Sequence, residues 1–484
     1  MQHFAALLPT TLEPLALAYL GVEWAIRIAM LMVVPFRRSP AAARGWLLIV
    51  FFLPVPALIL YLLIGRPSYP RWRRRRIAEA RQLLSHATEQ ITHTGHCCQP
   101  VLPENLAPAT LLIEHLGQLP VLGGNRVDLL ADYDGVIDHL VADIDRAEHH
   151  VHLLTYIFAD DAIGQRVVDA LLRAAARGVA CRVLIDALGS RRWAPAVRRK
   201  LSAGGVAIAR ALPVSLLRRR SARADLRNHR KIAVIDAEIG YIGSQNIVAA
   251  DFVPGLVNQE LMVRVTGPTV LELQAVFVTD WFLETGQILK APTLFPHHKA
   301  DGDVIAQLLP SGPDYPVAGV EPMVVALIHG ARRRIVITTP YFIPDDALLQ
   351  ALQTAVLRGI EVQLILSAVA DHPLVNLAQQ SYYDELLSAG IAIHLFRGGL
   401  LHAKYLSVDD SISVIGSSNI DIRSFLLNAE ASLIIYDETV AADLRSEQQR
   451  TFAACDRLLR AQWNRRSIFK KLAENIARLV SPLL

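Results

Sequence analysis

The chain has 484 residues, enough for two or three domains, and its 49 Lys and Arg against 45 Asp and Glu leave a formal charge of only +4. A total so near balance names no partner, so the distribution of charge along the chain carries the information. Cys97, Cys98, Cys181 and Cys455 form no regular disulfide framework, and the adjacent pair suits neither an ordinary disulfide nor a complete zinc site. All four are expected as free thiols, which is consistent with a reducing compartment.

Residues 1–70 are expected to form a transmembrane hairpin, with helices over about 15–34 and 46–64. Trp46 to Ile64 is uncharged over nineteen residues, long enough to span, with Pro54 and Pro56 set to kink it. Leu15 to Val34 is nearly as apolar but carries Glu23 and Arg27, which share a helix face and can pair while packing on the second helix. No Lys or Arg precedes Arg27 and no small-residue cleavage site follows, so a cleaved signal peptide is not expected. Arg37, Arg38 and Arg44 lie between the helices, and Arg66, Arg71, Arg73, Arg74, Arg75, Arg76 and Arg81 follow the second. Seven against three puts the remainder of the chain on the cytoplasmic side of a multi-pass membrane protein.

Residues 71–119 read as a basic juxtamembrane helix and linker. Arg71-Trp72-Arg73-Arg74-Arg75-Arg76 suits anionic headgroups, each basic residue near such a surface being worth ~1 kcal/mol. Nucleic acid is not the expected partner beside a membrane hairpin. His86, His93 and His96 lack a supporting ligand pattern and are expected as surface histidines.

An internal repeat begins near residue 120. Tyr156-Ile157-Phe158-Ala159-Asp160-Asp161 matches Tyr341-Phe342-Ile343-Pro344-Asp345-Asp346. Arg177-Gly178-Val179 matches Arg358-Gly359-Ile360, and Leu201-Ser202-Ala203-Gly204 matches Leu387-Ser388-Ala389-Gly390. Strand, helix and strand recur in the same order, predicting two α/β units with mixed sheets, over 120–295 and 296–484. The period of about 180 residues is too long for a solenoid and marks a duplicated domain.

Each unit carries one copy of H-x-K-x4-D-x6-G-S-x-N: His229, Lys231, Asp236, Gly243, Ser244 and Asn246, then His402, Lys404, Asp409, Gly416, Ser417 and Asn419. Ile232 to Ile235 and Tyr405 to Val408 are predicted strands, followed by turns at Asp236 to Glu238 and Asp409 to Ser411. A simple returning hairpin would put His229 opposite Asn246 and Lys231 opposite Ser244, with His402 opposite Asn419 and Lys404 opposite Ser417. Imidazole, ammonium, amide and hydroxyl on one face suit a phosphate diester, whose oxygens gain charge on attack. Two histidines allow one to attack phosphorus while the other protonates the leaving oxygen. A metal is not expected, because the central lysines would repel it.

The duplicated motif resembles that of the phospholipase D superfamily, over roughly residue 120 to the end. With its flanks, the chain is most similar to bacterial cardiolipin synthases of that type. The resemblance implies two similar α/β halves packed around one metal-free, cofactor-free site in a bacterial inner-membrane protein. It implies transfer of a phosphatidyl group from one phosphatidylglycerol to another through a phosphohistidine, with release of glycerol. His229, Lys231, Asp236, His402, Lys404 and Asp409 form the implied catalytic set, Asp236 and Asp409 in a supporting role at the turns. His229 as the nucleophile is set by analogy, since the near-symmetry of the motifs does not choose. Ser244, Asn246, Ser417 and Asn419 are implied at the phosphate. Glu260 and Glu430, in the echoes Asn258-Gln259-Glu260 and Asn428-Ala429-Glu430, are implied to orient the imidazoles.

Three questions stay open. The motifs read the phosphate and not the headgroup, so phosphatidylethanolamine as donor, a lipid hydrolase and a scaffold with a dead site remain alternatives. Leu216 to Arg230, dense in arginine, reads as a rim attracting anionic lipid or as a solvated loop. Trp463 to Leu484 is amphipathic and either lies on a bilayer or caps the second half.

Overall fold

The computed structural model describes residues 12–38, 40–65, 71–214, 225–315, 319–369 and 372–480. Arg66 of the basic cluster and Arg218, Arg219, Arg220 and Arg223 of the arginine-dense stretch lie outside the described residues. The chain divides into two compact units, Met1–Arg74 with Val214–Asp225, and Arg75–Pro213 with Leu226–Leu484.

In the smaller unit, α1 (Leu12–Val33) packs on α2 (Pro40–Phe52) and α3 (Pro54–Leu60) through Met30, Val34, Trp46, Val50 and Tyr61. Among the described residues, α1 alone is long and apolar enough to cross a membrane, over Ala16–Val33. The second apolar stretch is not the single kinked helix expected over 46–64. It breaks at Leu53 (φ −134°, ψ 68°), resumes at Pro54 and ends in a π-helical turn over Tyr61–Gly65. Proline is the cause: Pro54 and Pro56 offer no N–H to the preceding turn. Arg27 stays paired with Glu23 at 3.2 Å, and its Nε donates to the carbonyl of Phe51 beside the break at 3.1 Å. The expected intrahelical pair therefore also joins the two apolar segments.

Next come α4 (Arg71–Thr92) and α5 (Ala107–Gly117). Part of the basic cluster is structural, for Arg76 donates to the Leu283 and Glu284 carbonyls. The first half then holds β1 (Leu122–Leu130), α6 (Tyr133–Arg146), β2 (His150–Thr155), α7 (Ala162–Ala176), β3 (Ala180–Asp186), α8 (Ala194–Ala203), β4 (Ala207–Ala211), β5 (Arg227–Asn228), β6 (Ile232–Ile235), β7 (Ile239–Gly243), β8 (Asn258–Gln259), β9 (Met262–Thr266) and α9 (Val270–Thr285). The second holds β10 (Val304–Ser311), α10 (Val320–Gly330), β11 (Arg334–Thr339), β12 (Phe342–Ile343), α11 (Asp346–Leu357), β13 (Glu361–Ser367), α12 (Pro373–Gln380), α13 (Tyr383–Ser388), β14 (Ala392–Phe396), β15 (Leu400–Leu401), β16 (Tyr405–Val408), β17 (Ile412–Gly416), β18 (Ile420–Asp421), α14 (Ile422–Leu426), β19 (Asn428–Tyr436), α15 (Glu438–Ala453), β20 (Cys455–Arg457), α16 (Arg460–Trp463) and α17 (Ile468–Val480).

The first half orders its strands β4–β3–β2–β6–β7–β9–β1, and the second β20–β14–β13–β11–β16–β17–β19–β10. Antiparallel pairing of β1 with β10 joins them into one mixed sheet. Outer cores lie under α6, α7 and α8 in one half and under α5, α10 and α11 in the other. A third core, with α4, α9 and residues of α15, is shared by both. A sheet covered on both faces explains why every residue of β2 and the last four of β13 are buried.

The repeated triplets now have causes. Asp161 and Asp345 are N-caps, their carboxylates accepting the Gly164 and Leu348 N–H groups. Gly178 (φ 92°) and Gly359 (φ 83°) stop the same two helices in the left-handed conformation. Arg177 and Arg358 each reach back to carbonyls of the preceding helix and loop, Ile144 and Ala147 in one half, His329 and Ala331 in the other.

Candidate active site

The motif strands fold as predicted, but their register is offset by one from the expected hairpin. Ile232 pairs with Ile242 and Ile235 with Ile239; Tyr405 pairs with Ile415 and Val408 with Ile412. Each turn holds three residues, and Asp236 (φ 55°), Ala237 (φ 58°) and Asp409 (φ 53°) adopt the left-handed conformation that closes it. The histidines precede the ladder, so His229 does not pair with Asn246, nor His402 with Asn419.

They are held by the opposite half instead. β5, just before His229, pairs in parallel with the start of β19, and the His229 N–H donates to the Ala429 carbonyl at 2.8 Å. β15, just before His402, pairs in parallel with β8, and the His402 N–H donates to the Gln259 carbonyl at 2.8 Å. These short crossings bring the two motifs together and fix the acids. His229 Nδ1 lies 3.0 and 3.1 Å from the two Glu430 oxygens, and His402 Nδ1 lies 2.5 Å from Glu260 Oε1. Each imidazole therefore donates Nδ1–H to a buried carboxylate of the other half and keeps the Nε2 lone pair free.

Lys231 and Lys404 are buried beside them, each donating at 2.6 Å to the carbonyl of its own motif histidine. Burial pushes His229 down to about 4, against the pull of Glu430, and Lys231 adds to the depression. It lowers His402 as well, with Glu260 opposing. Burial brings the Lys231 ammonium down to about 7, Glu430 opposing and Lys404 adding repulsion. Burial alone would raise Glu430 and Glu260, yet the histidine beside each, with help from the nearby lysine, holds both below the usual carboxylate range. The site thus combines two imidazoles held neutral by burial with two lysines that repel each other, a charge pattern that an anion would relieve.

Ser244 and Ser417, expected at the phosphate, have other partners. Ser417 Oγ donates to Glu430 at 2.5 Å and accepts the Ala431 N–H; Ser244 Oγ donates to the Leu261 carbonyl and accepts the Leu261 N–H. They sit where Gly243 and Gly416 let two strands approach. A Cβ would stand 2.4 Å from the Leu261 oxygen in one case and 2.3 Å from the Ala431 oxygen in the other. Asn246 accepts the Ile157 N–H at 3.1 Å, and Asn419 is buried. Asp236 and Asp409 lie away from the imidazoles. Asp236 accepts the backbone N–H groups of Glu148, His149 and His150 at 2.7–2.8 Å, and Asp409 those of Arg332, Arg333 and Arg334.

Several contributors were not foreseen. Tyr156 meets the His229 ring edge-on at 4.9 Å and lies 5.5 Å beneath Lys231 Nζ. The repeated tyrosine, Tyr156 and Tyr341, was visible as a match but was not given to the site. Arg230, at the end of the stretch read from sequence as a lipid-attracting rim or a solvated loop, is 1% exposed. It bonds Asp280 at 2.5 Å and the carbonyls of Glu430 and Ser311 at 2.9 Å. Arg227 is buried too, so the end of that stretch is core and not rim. No sequence pattern pointed to Asp280, which lies on α9 without a counterpart motif.

The crossing of two H-x-K-x4-D motifs at one site defines a phospholipase D-like protein. The family described as "Cardiolipin synthase, PLD-like domain" matches residues 140–281 and 324–452, and one described as "Phospholipase_D-nuclease N-terminal" matches 25–66. The fold is similar to that of phosphatidylserine synthase of Haemophilus influenzae, with TM-score 0.61 and 16% identity, covering 78% of this chain and all of that one. Cardiolipin synthase A of Yersinia pseudotuberculosis is 34% identical over 460 residues, covering 93% of this chain and 94% of the relative. That of Salmonella arizonae is 34% identical over 485 residues, covering 97% and 98%. The chain belongs to the cardiolipin synthase family of phospholipase D type.

Proposed function

We propose that the protein is a phosphatidyltransferase making cardiolipin from two molecules of phosphatidylglycerol. The observation that carries the mechanism is the pair of imidazoles with Nδ1 held by crossed carboxylates and Nε2 free, between two buried lysines. His402 takes up a proton at Nε2 as the anionic substrate binds; His229 Nε2 then attacks phosphorus, the bond to the glycerol headgroup breaks, and His402 delivers that proton to the departing glycerol oxygen. His402 then takes the proton from a hydroxyl of the second phosphatidylglycerol, whose oxygen attacks phosphorus as the N–P bond breaks. The phosphodiester anion raises the depressed lysine and imidazole pKa values, so Lys231 and Lys404 are charged and His402 can hold a proton when needed. Asn246 and Asn419 complete the phosphate cradle. Ser244 and Ser417 brace the strands that carry the carboxylates, and Asp236 and Asp409 brace the turns.

No metal enters this mechanism, since the lysines already supply positive charge at the phosphate. Activity should persist in chelator. The halves are residues 120–295 and 296–484, after a hairpin over 1–70 and a basic linker over 71–119. α1 and the interrupted α2–α3 segment together form the membrane anchor, with the catalytic halves on the cytoplasmic side; the arginine bias supports this sidedness.

The test is purified enzyme with labelled phosphatidylglycerol as sole lipid. Mass spectrometry should find cardiolipin and free glycerol, and added glycerol should suppress cardiolipin. Phosphatidic acid as the only product would make the protein a hydrolase.

A further inference from the structure

Helix α17 is docked the wrong way round for a helix that only caps the fold. Its apolar residues Ile468, Phe469, Leu472, Ile476 and Leu479 fall within one arc of about 100° at 3.6 residues per turn. They face outward, and Phe469 and Leu479 are each 80% exposed. The face packed on the protein is the small and charged one. Ala477 and Glu474 are each 1% exposed, and Arg466 meets Glu474 at 3.2 Å while its guanidinium lies 3.4 Å over Trp463. Arg478 lies 4.1 Å over Tyr382 and 3.6 Å from Glu385. Burial of apolar area would have turned the helix over if the protein were its only partner.

We infer that the outward face of α17 is a docking surface for an anionic phospholipid bilayer, which brings the mouth of the active site to the headgroups. The choice of occupant follows from charge. Lys471 flanks the apolar stripe half-buried, Arg465 is exposed in the turn just before the helix, and Lys470 is exposed at the edge of the docked face, 5.9 Å over Trp463. An apolar stripe edged by cations is the pattern of a helix lying in an anionic interface. Position supports it. α17 packs along α12, whose preceding residue His372 lies 6.3 Å, ring to ring, from Tyr341. Tyr341 abuts β12, which pairs with Ile420–Asp421 directly after Asn419. At the near end of α12, Leu374 is also exposed, at 44%. α12 thus links the docked α17 to the second-half rim of the site. This inference rests on the lipid substrate proposed above.

The test uses the full chain reconstituted in vesicles, with Cys97 and Cys98 replaced by Ser and an environment-sensitive fluorophore on Leu472→Cys. Thr439→Cys, exposed on α15, is the control. In phosphatidylglycerol vesicles the label at 472 should shift to the blue and be quenched by chain-brominated lipid, and the control should not. The quenching should fall several-fold in phosphatidylcholine vesicles at raised salt. No quenching would overturn the proposal. So would a blue shift that is equal in detergent and rises with protein concentration, which would mean that a second copy covers the helix. In parallel, the double variant Phe469→Glu, Leu472→Glu should lose more than ten-fold in activity on bilayer phosphatidylglycerol and keep its turnover of a short-chain, monomeric analogue. Equal activity of the variant and the unmodified protein on bilayers would also overturn it. If the label inserts but neither protein transfers phosphatidyl groups, the substrate reading fails and the docking surface stands.

Discussion

Lys231 is the residue whose charge substrate binding should change most. Burial leaves its ammonium near 7 in the free enzyme, while His229 stays neutral down to about 4. The signs follow. kcat/KM reports the free enzyme. It should fall below pH ~4 as His229 gains a proton, and on the alkaline side as His402, whose imidazole burial also holds below its ordinary value, and then Lys231 lose theirs. In the complex the phosphodiester stabilises the ammonium, so the alkaline limb of kcat should lie at higher pH than that of kcat/KM. Coincident limbs would show that Lys231 does not sense the substrate. His229→Ala and His402→Ala should each abolish transfer, read as loss of labelled cardiolipin. Asp236→Ala should act on folding, since three backbone N–H groups lose an ionised acceptor. The expected loss is on the order of 3 kcal/mol, seen in denaturant unfolding, with Asn milder than Ala.

At the scale of elements, the strands of the two motifs were legible because a short β-prone run between a lysine and a turn aspartate, Ile232-Ala233-Val234-Ile235 in one and Tyr405-Leu406-Ser407-Val408 in the other, admits little else. The repeat was legible because its matched residues do local work: N-caps at Asp161 and Asp345, helix stops at Gly178 and Gly359. The crossings were not legible. β5, β8 and β15 are two residues long, too short for any periodicity, and they exist only because the other half supplies their partner. Nor did hydropathy reveal that Pro54 divides the second apolar segment, since proline does not interrupt a run of uncharged residues. The Arg230–Asp280 pair belongs to the same class, a buried contact between a motif residue and a distant helix. Asp280→Ala strands a buried guanidinium and should cost ~3–5 kcal/mol, measured as a lowered unfolding midpoint. It should also weaken activity, because Arg230 holds the Glu430 carbonyl.

At the scale of the whole molecule, the acid that holds each imidazole comes from the opposite half of the chain. Glu430 is 201 residues from His229, and Glu260 is 142 from His402. With His229 as the nucleophile, Glu430→Gln should slow formation of the covalent phosphohistidine on the order of 10²-fold, and Glu260→Gln should slow proton delivery by His402. Rapid-quench trapping of labelled enzyme separates the two. The opposite assignment would mean either that each half uses its own acid or that His402 is the nucleophile, and mapping the labelled histidine decides between them.

The crossed acids also bear on what the duplication permits. Each half lends its carboxylate to its neighbour, so neither can decay while the other is kept. A lesion at Glu430 disables the first copy's histidine while leaving that copy's own sequence untouched. The two repeats are therefore free to diverge at their surfaces but not in their loans to each other. A chain reduced to one repeat would recover both acids only as a two-fold symmetric pair, each subunit lending across the axis what one half here lends to the other.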